Sequence, residues 1–329
     1  MIESTLPPLL TVIILTRDEE KNLVHALASL APLDADIWVV DSGSTDRTVE
    51  IARAHGCNIL LRGWTNHADQ LNRAIGEIGE IGCRSAWCMR LDADERLTPE
   101  LVEELQRVLP KIAGDVNGLL VKRRVHFWGR WIRHGGYYPT WLLRLWRTGT
   151  AHCEPRGMDE HMILESGRVR RLANDIIDEN MKGLGFWTIK HEGYAAREVR
   201  ELLAMERGGR STGIAGQAGR RRWAKERIYS RAPRLWRAAA YWFMRYFVQL
   251  GFLDGREGAV FHFLQGFWYR FLVDARLIEA ELAERSAVVV APEPGPVPLP
   301  SARPGPAGRA ADQEQVRTGA GRRVPAAVP

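Results

Sequence analysis

The chain reads as an α/β protein built on a Rossmann-like, mostly parallel sheet with flanking helices, and three observations predict it. Apolar runs of strand length alternate with amphipathic helical stretches from about residue 10 onward. The runs are rich in β-branched residues and apolar throughout, as in strands covered on both faces. Each run then breaks into a polar cluster, and ligands of open α/β sheets bind at such strand ends. The 329 residues, 45% hydrophobic and 26% charged, allow one large α/β domain with appendages, or two domains.

Leu10-Thr11-Val12-Ile13-Ile14-Leu15 is the first strand, and it breaks at Thr16-Arg17-Asp18-Glu19-Glu20. A helix over Asn22 to Leu30 follows, with Leu23, Leu27 and Leu30 on one face. Asp36 to Val40 is the second strand, ending in Asp41-Ser42-Gly43-Ser44-Thr45-Asp46. A helix from Arg47 to Ala54 and a third strand at Asn58 to Leu61 complete a β-α-β-α-β unit with right-handed crossovers. No glycine follows the first strand and no GxxxxGK[ST] loop exists, which argues against NAD, FAD and a phosphate loop. Asp41 either caps the following turn with Ser42 and Gly43, or accepts hydrogen bonds from a nucleotide base or ribose.

The run Ala86 to Leu91 leads into Asp92-Ala93-Asp94-Glu95. Alternate residues of an extended chain point the same way, so Asp92 and Asp94 can converge, and hard oxygen ligands suit Mg²⁺ or Mn²⁺. The plainer reading is a solvated acidic turn before a helix that starts at Thr98-Pro99. Glu95 reads as a helix-start residue or a support behind the site.

Thr-Val-Ile-Ile-Leu-Thr-Arg-Asp-Glu-Glu-Lys-Asn, Val-Val-Asp-Ser-Gly-Ser-Thr-Asp-Arg-Thr and Leu-Asp-Ala-Asp-Glu, in this order, resemble glycosyltransferase family 2 enzymes of the GT-A fold. Trp131 to Gly136 and Gly251 to Gly255 resemble the bacterial subgroup that glycosylates lipid-linked polysaccharide or lipopolysaccharide-core precursors. The resemblance covers roughly residues 9–285. It implies Thr16 and Glu19 in the nucleotide pocket, Asp41 facing the base, Asp92 at the ribose or metal, and Asp94 holding a divalent cation against the diphosphate. Within Asn66 to Asn72, Asn72 is the residue expected near the donor; Asn66 reads as a helix cap and His67 as part of that helix start. The partners implied are a nucleotide-sugar donor, UDP-sugar first, and a saccharide or lipid-linked saccharide acceptor.

A strand at Gly118 to Arg124 runs into a basic, aromatic segment that includes Trp128, Arg130, Trp131, Arg133, His134, Tyr138 and Trp141. It suits a sugar-phosphate or lipid-diphosphate acceptor, and no nucleic-acid module accompanies it, so nucleic acid is not an expected partner. An inverting transfer needs a general base on the acceptor hydroxyl. Met158-Asp159-Glu160-His161 supplies the candidates Asp159 and Glu160, with Glu160 favoured because the Asp-Glu-His order sets Asp159 where relatives often carry histidine. A charged surface turn is the plainer alternative there.

The net charge of +6 resides mainly in the arginine-rich part after about residue 120, which suggests an anionic surface as partner. Leu235 to Leu253 and Ala259 to Leu272 are aromatic but interrupted by arginines. They read as amphipathic helices in the membrane plane, with Arg237 and Arg245 at lipid phosphates, or as helices packed on the domain. Three regions are therefore expected: a transferase domain at 1–215, a membrane-associating helical region at 216–286, and a disordered Pro/Ala/Gly/Arg tail at 287–329. Four cysteines without paired spacing and no signal-peptide pattern lead to an expected cytoplasmic location at the inner face of the membrane. Two other classes compete: a membrane-surface or RNA-binding protein with a degenerate nucleotide fold, and a phosphatase of the haloacid-dehalogenase type. The phosphatase motif wants Thr or Val two residues after its second Asp, where Arg96 stands.

Overall fold

The computed structural model describes residues 7–155, 161–206 and 232–289. Strand β1 (Leu10–Thr16) lies between β2 (Ala35–Asp41) and β4 (Trp87–Arg90), and β3 (Asn58–Leu61) sits outside β2, all four parallel. Helices α1 (Glu20–Leu30), α2 (Thr48–Ala54) and α3 (His67–Ile81) make the crossovers. Beyond β4 the sheet turns mixed. β8 (Thr140–Arg147) is antiparallel to both β4 and β6 (Val116–Phe127), and β11 (Arg168–Asp178) runs parallel to β6. β5 (Glu95–Leu97) closes the edge antiparallel to β11, and β7 (Arg130–Trp131) pairs with the end of β6. β9 (Ala151–Cys153) and β10 (Met162–Leu164) form a separate hairpin.

The continuous apolar runs are explained by burial on both faces. Leu10, Val12 and Ile14 of β1 meet Leu23, Leu27 and Leu30 of α1 and Leu101 and Leu105 of α4 (Pro99–Val108). Ile13, pointing the other way, joins Leu71, Ala74 and Ile78 of α3 with Trp146. Helix starts follow their caps: Asn66 Oδ1 accepts from Asp69 N at 2.8 Å, and Thr98 Oγ1 from Leu101 N at 3.2 Å ahead of Pro99.

Helix α5 spans Gly183–Glu206. Its Ala195 and Val199 pack on Tyr269, Val273 and Leu277 of α8 (Tyr269–Val289). Between them lie α6 (Trp236–Phe243), which continues as a π-helical turn to Val248, a 3₁₀ turn (Gly251–Asp254), and α7 (Gly255–Phe261), which passes through a π-helical stretch into α8. One correction follows for the arginines assigned to lipid phosphates. Arg237 is buried in a bidentate pair with Asp274, and the Arg245 guanidinium stacks on Tyr137 at 3.8 Å. Asp274 supplies the counter-ion that the buried Arg237 needs, and the Tyr137 ring takes the half-buried Arg245, so both side chains are engaged within the fold. Residues through Glu284 form one compact unit; of the second, Arg285–Pro329, only the end of α8 is described.

Candidate active site

The carboxyl ends of β1, β2, β4, β6 and β11 lie along one rim of the sheet. At its first stretch the loops after β1 and β2 are laced together by side chains. Glu19 N donates to Thr48 Oγ1 at 2.7 Å, Glu20 N to Asp46 Oδ2 at 3.0 Å, and Thr45 N to Asp18 Oδ1 at 2.7 Å. Asp46 therefore fills the amino end of α1, the place where a glycine-loop fold would seat a phosphate. Asp41 is buried; it accepts from Thr16 Oγ1 at 3.0 Å and from the amides of Gly43 and Ser44, at 3.0 and 2.8 Å. Gly43 sits at φ +87°, the left-handed turn that this arrangement requires. Asp41 thus builds the turn itself.

The acidic segment is a turn and not a continuation of β4, with Glu95 N bonded to Asp92 O at 2.8 Å. Asp92 and Asp94 differ sharply in surroundings. Asp92 receives Arg90 Nε on one oxygen at 2.9 Å and Arg144 Nη2 on the other at 2.8 Å. Burial alone would raise its pKa, but Arg144 and Arg90 hold it well below the usual carboxylate range. Arg144 also pairs with Glu95, which is buried at the start of β5 and not at a helix start. Burial pushes Glu95 up to about 7. Arg90 reaches His67 Nε2 at 3.2 Å, and burial pushes that imidazole down to about 4, so it is neutral.

Asp94 Oδ2 accepts from Asn180 Nδ2 at 3.0 Å and from Lys190 at 3.4 Å, and no hydrogen bond among the described residues reaches Oδ1. Around it stand Asp178, paired with Arg123 at 3.3 Å, and Glu19, paired with Lys182 at 2.7 Å. Burial pushes Asp178 up to about 6, against Arg123 and with the charge of Asp94 adding to it. Burial also raises Glu19, and burial alone would depress Lys190, which Asp94 instead raises. Among the described residues no three His, Cys, Asp or Glu side chains form a ready metal cluster. A magnesium-like ion shared with a substrate diphosphate needs only one or two carboxylates, and the open oxygen of Asp94 meets that requirement. Asp92 fits less well, since both its oxygens are held by arginines.

Asn72, expected near the donor, clamps the backbone of Cys153: its amide donates to Cys153 O at 2.8 Å and its carbonyl accepts from Cys153 N at 2.7 Å. Arg133 and His134 follow β7, and both backbone amides donate to the buried carboxylate of Asp254, which also takes His134 Nδ1 at 2.7 Å. Two segments 120 residues apart thus meet at one aspartate. The guanidinium of Arg133 is exposed above Trp131. Asp159 and Glu160 lie outside the described residues.

Asp178, Lys182, Lys190, Arg90 and Arg144 are the rim residues to which the sequence reading assigns no role. Two of them carried a signal. Asp178 ends the apolar pair Ile176-Ile177 just as Asp41 ends β2, and Arg144 interrupts an apolar strand where a charge must find partners.

Three comparisons bear on identity. The glycosyl transferase family 2 model matches residues 11–193. An uncharacterized glycosyltransferase of Rickettsia typhi is 31% identical over 99 residues, 30% of this chain and 32% of that protein, so the chain spans about a third of the length of such curated relatives. The lipopolysaccharide core biosynthesis glycosyltransferase LpsC of Rhizobium meliloti is 29% identical over 189 residues, covering 48% of this chain and 67% of LpsC. Among solved structures, glucosyl-3-phosphoglycerate synthase from Mycobacterium tuberculosis, in complex with Mn²⁺, UDP and glucosyl-3-phosphoglycerate, matches 36% of this chain and 44% of its own, at 21% identity and a TM-score of 0.29. The α/β sheet with its acidic rim is the GT-A arrangement that the motifs imply, and the family model covers more than half of the residues. The chain belongs to glycosyl transferase family 2.

Proposed function

We propose that the protein is an inverting glycosyltransferase that moves a sugar from a nucleotide-diphosphate donor, a UDP-sugar first, to a saccharide or lipid-linked acceptor of a cell-envelope polysaccharide. The observation that carries this reading is the Asp94 turn. One carboxylate oxygen that no hydrogen bond among the described residues reaches stands at the carboxyl end of the parallel strands, beside Glu19, Lys182 and Lys190, in a chain of this family. Mg²⁺ or Mn²⁺ bound at Asp94 would neutralise the departing diphosphate. Around it, Lys190 limits the repulsion between Asp94 and Asp178, and Lys182 does the same for Glu19, so the carboxylates stay together before any ligand arrives. Arg90 and Arg144 hold Asp92 rigid, which fixes the turn that carries Asp94.

On the acceptor side, Trp128 is exposed at the tip of the β6–β7 hairpin, at φ +53° and next to Gly129 at φ +77°. The Gly129 amide donates to Glu179 Oε1 at 2.8 Å, which ties this ring to the rim as a stacking surface for a sugar. The name of LpsC supports a lipopolysaccharide-type acceptor. Asp159 or Glu160 supplies the base, Glu160 favoured. Membership of this family disfavours the phosphatase and the degenerate nucleotide fold.

Titration calorimetry with UDP, GDP, CDP and ADP, each with and without Mn²⁺, tests the donor half. At least one nucleotide should bind only with the cation, and Asp94→Asn should abolish that dependence. If none of the four binds, the transferase reading fails.

A further inference from the structure

Helix α6, its π-helical turn and the 3₁₀ turn that follows expose an aromatic raft. Phe243 contacts Phe247 at 5.0 Å between ring centroids, Phe247 contacts Tyr246 at 5.1 Å, and Tyr246 contacts Phe252 at 6.4 Å. Phe243, Phe247, Phe252 and Leu253 are each more than two-fifths exposed, and Val248 is 66% exposed. Contiguous apolar rings of this kind on a surface mark an interaction site. Among the described residues no helix is long and apolar enough to cross a membrane. The raft is also broken by turns, Leu250 standing at φ +60°.

The charge beside the raft identifies what it meets. Arg130 lies against Gly255, Arg133 donates its amide to Asp254, and the Arg256 side chain is 93% exposed. Three arginines, two from the β7 hairpin and one from the start of α7, therefore surround the Leu250–Gly255 turn. The arginines outnumber the acids there: Asp254 is buried beneath His134 and His262, and Glu257, 2.6 Å from Arg256 and near Arg130, offsets one of the three positive charges. In sequence, residues 207–231, which run toward α6, hold eight Lys or Arg against one Glu. Exposed rings rimmed by arginines match an anionic bilayer surface, with apolar groups entering the headgroup boundary and guanidinium groups meeting phosphates.

We infer that this raft is a docking surface for an anionic lipid bilayer, with Arg130, Arg133 and Arg256 as its phosphate contacts, and that it holds the Arg133–His134 loop at the membrane surface. The arginines differ from those that helix periodicity suggests, because Arg237 and Arg245 are spent inside the fold. Co-sedimentation of the full chain with phosphatidylcholine vesicles, with and without phosphatidylglycerol, tests the inference. The wild type should pellet at least about tenfold more with the anionic vesicles. Phe252→Glu combined with Leu253→Glu should lose that binding while its melting temperature stays near wild type, since both side chains are exposed. Reversing Arg256 to Glu should weaken binding without abolishing it. Absence of vesicle binding by the wild type, or equal binding by the double variant, overturns the inference. So does a wild type that elutes as a dimer, fails to bind vesicles and becomes a monomer in the double variant, because a second copy then covers the raft. Vesicle binding is read without sugar transfer, so its failure leaves the donor reading intact.

Discussion

Asp92 and Asp94 are two residues apart and carry the same functional group, yet their neighbours give them different work. Asp92 is one corner of a charge network with Arg90, Arg144 and Glu95, whereas Asp94 keeps an oxygen that no hydrogen bond among the described residues reaches. Removing one partner of a buried network leaves an uncompensated charge, so Arg144→Met should cost about 3–5 kcal/mol in denaturant unfolding. Asp94→Asn should cost less stability and remove cation-dependent nucleotide binding instead. Equal losses of stability in both variants would contradict this division. The pairing of two carboxylates was legible in the spacing Asp-Ala-Asp; their inequality was not, because it depends on Arg144, which arrives from a strand some fifty residues later. Asn72 shows the same limit, since nothing local announces that its amide fits the peptide of Cys153.

At the level of elements, the front half was readable because each strand and helix announces itself locally. Asn58–Leu61 falls where the apolar run predicts, and the caps Asn66 and Thr98 start α3 and α4. The joint around Asp254 was not readable, since it assembles residues from a hairpin loop and from the turns on either side of α7. Burial alone would raise the Asp254 pKa, but hydrogen bonds from His262, His134 and two backbone amides hold it below the usual carboxylate value. The folded state therefore binds fewer protons than the unfolded chain. The stabilisation is present above about pH 4 and is lost as pH falls through the lowered folded pKa. Asp254→Asn should lower the melting temperature at pH 7, with the gap to wild type closing on acidification below about pH 4; a gap that stays constant would refute this. The joint is also sterically closed. A Cβ on Gly135, at φ +66°, would sit 2.2 Å from His262 Cε1. Gly135→Ala should lose about 1–2 kcal/mol to the backbone alone and more from the displaced imidazole, read by the same melt.

Across the whole molecule, the proposed function sets the nucleotide on the parallel half, β3-β2-β1-β4, and the mixed half, β8-β6-β11-β5, brings the basic and aromatic residues to the same rim. That division predicts separable defects. Glu160→Gln should keep cation-dependent nucleotide binding and lose transfer by at least about a hundredfold, the usual contribution of a general base; retained transfer would exclude Glu160. A further consequence comes from the amino end of α1, which Asp46 already occupies. With that end filled, the proposed function would leave the charge of a bound diphosphate to a cation at Asp94 and to the nearby lysines. Binding reciprocity then applies: the cation tightens the nucleotide by the same factor by which the nucleotide tightens the cation. Each ligand would bind more weakly alone than in the presence of the other, so occupancy would follow the free divalent concentration of the surroundings as much as the supply of sugar donor.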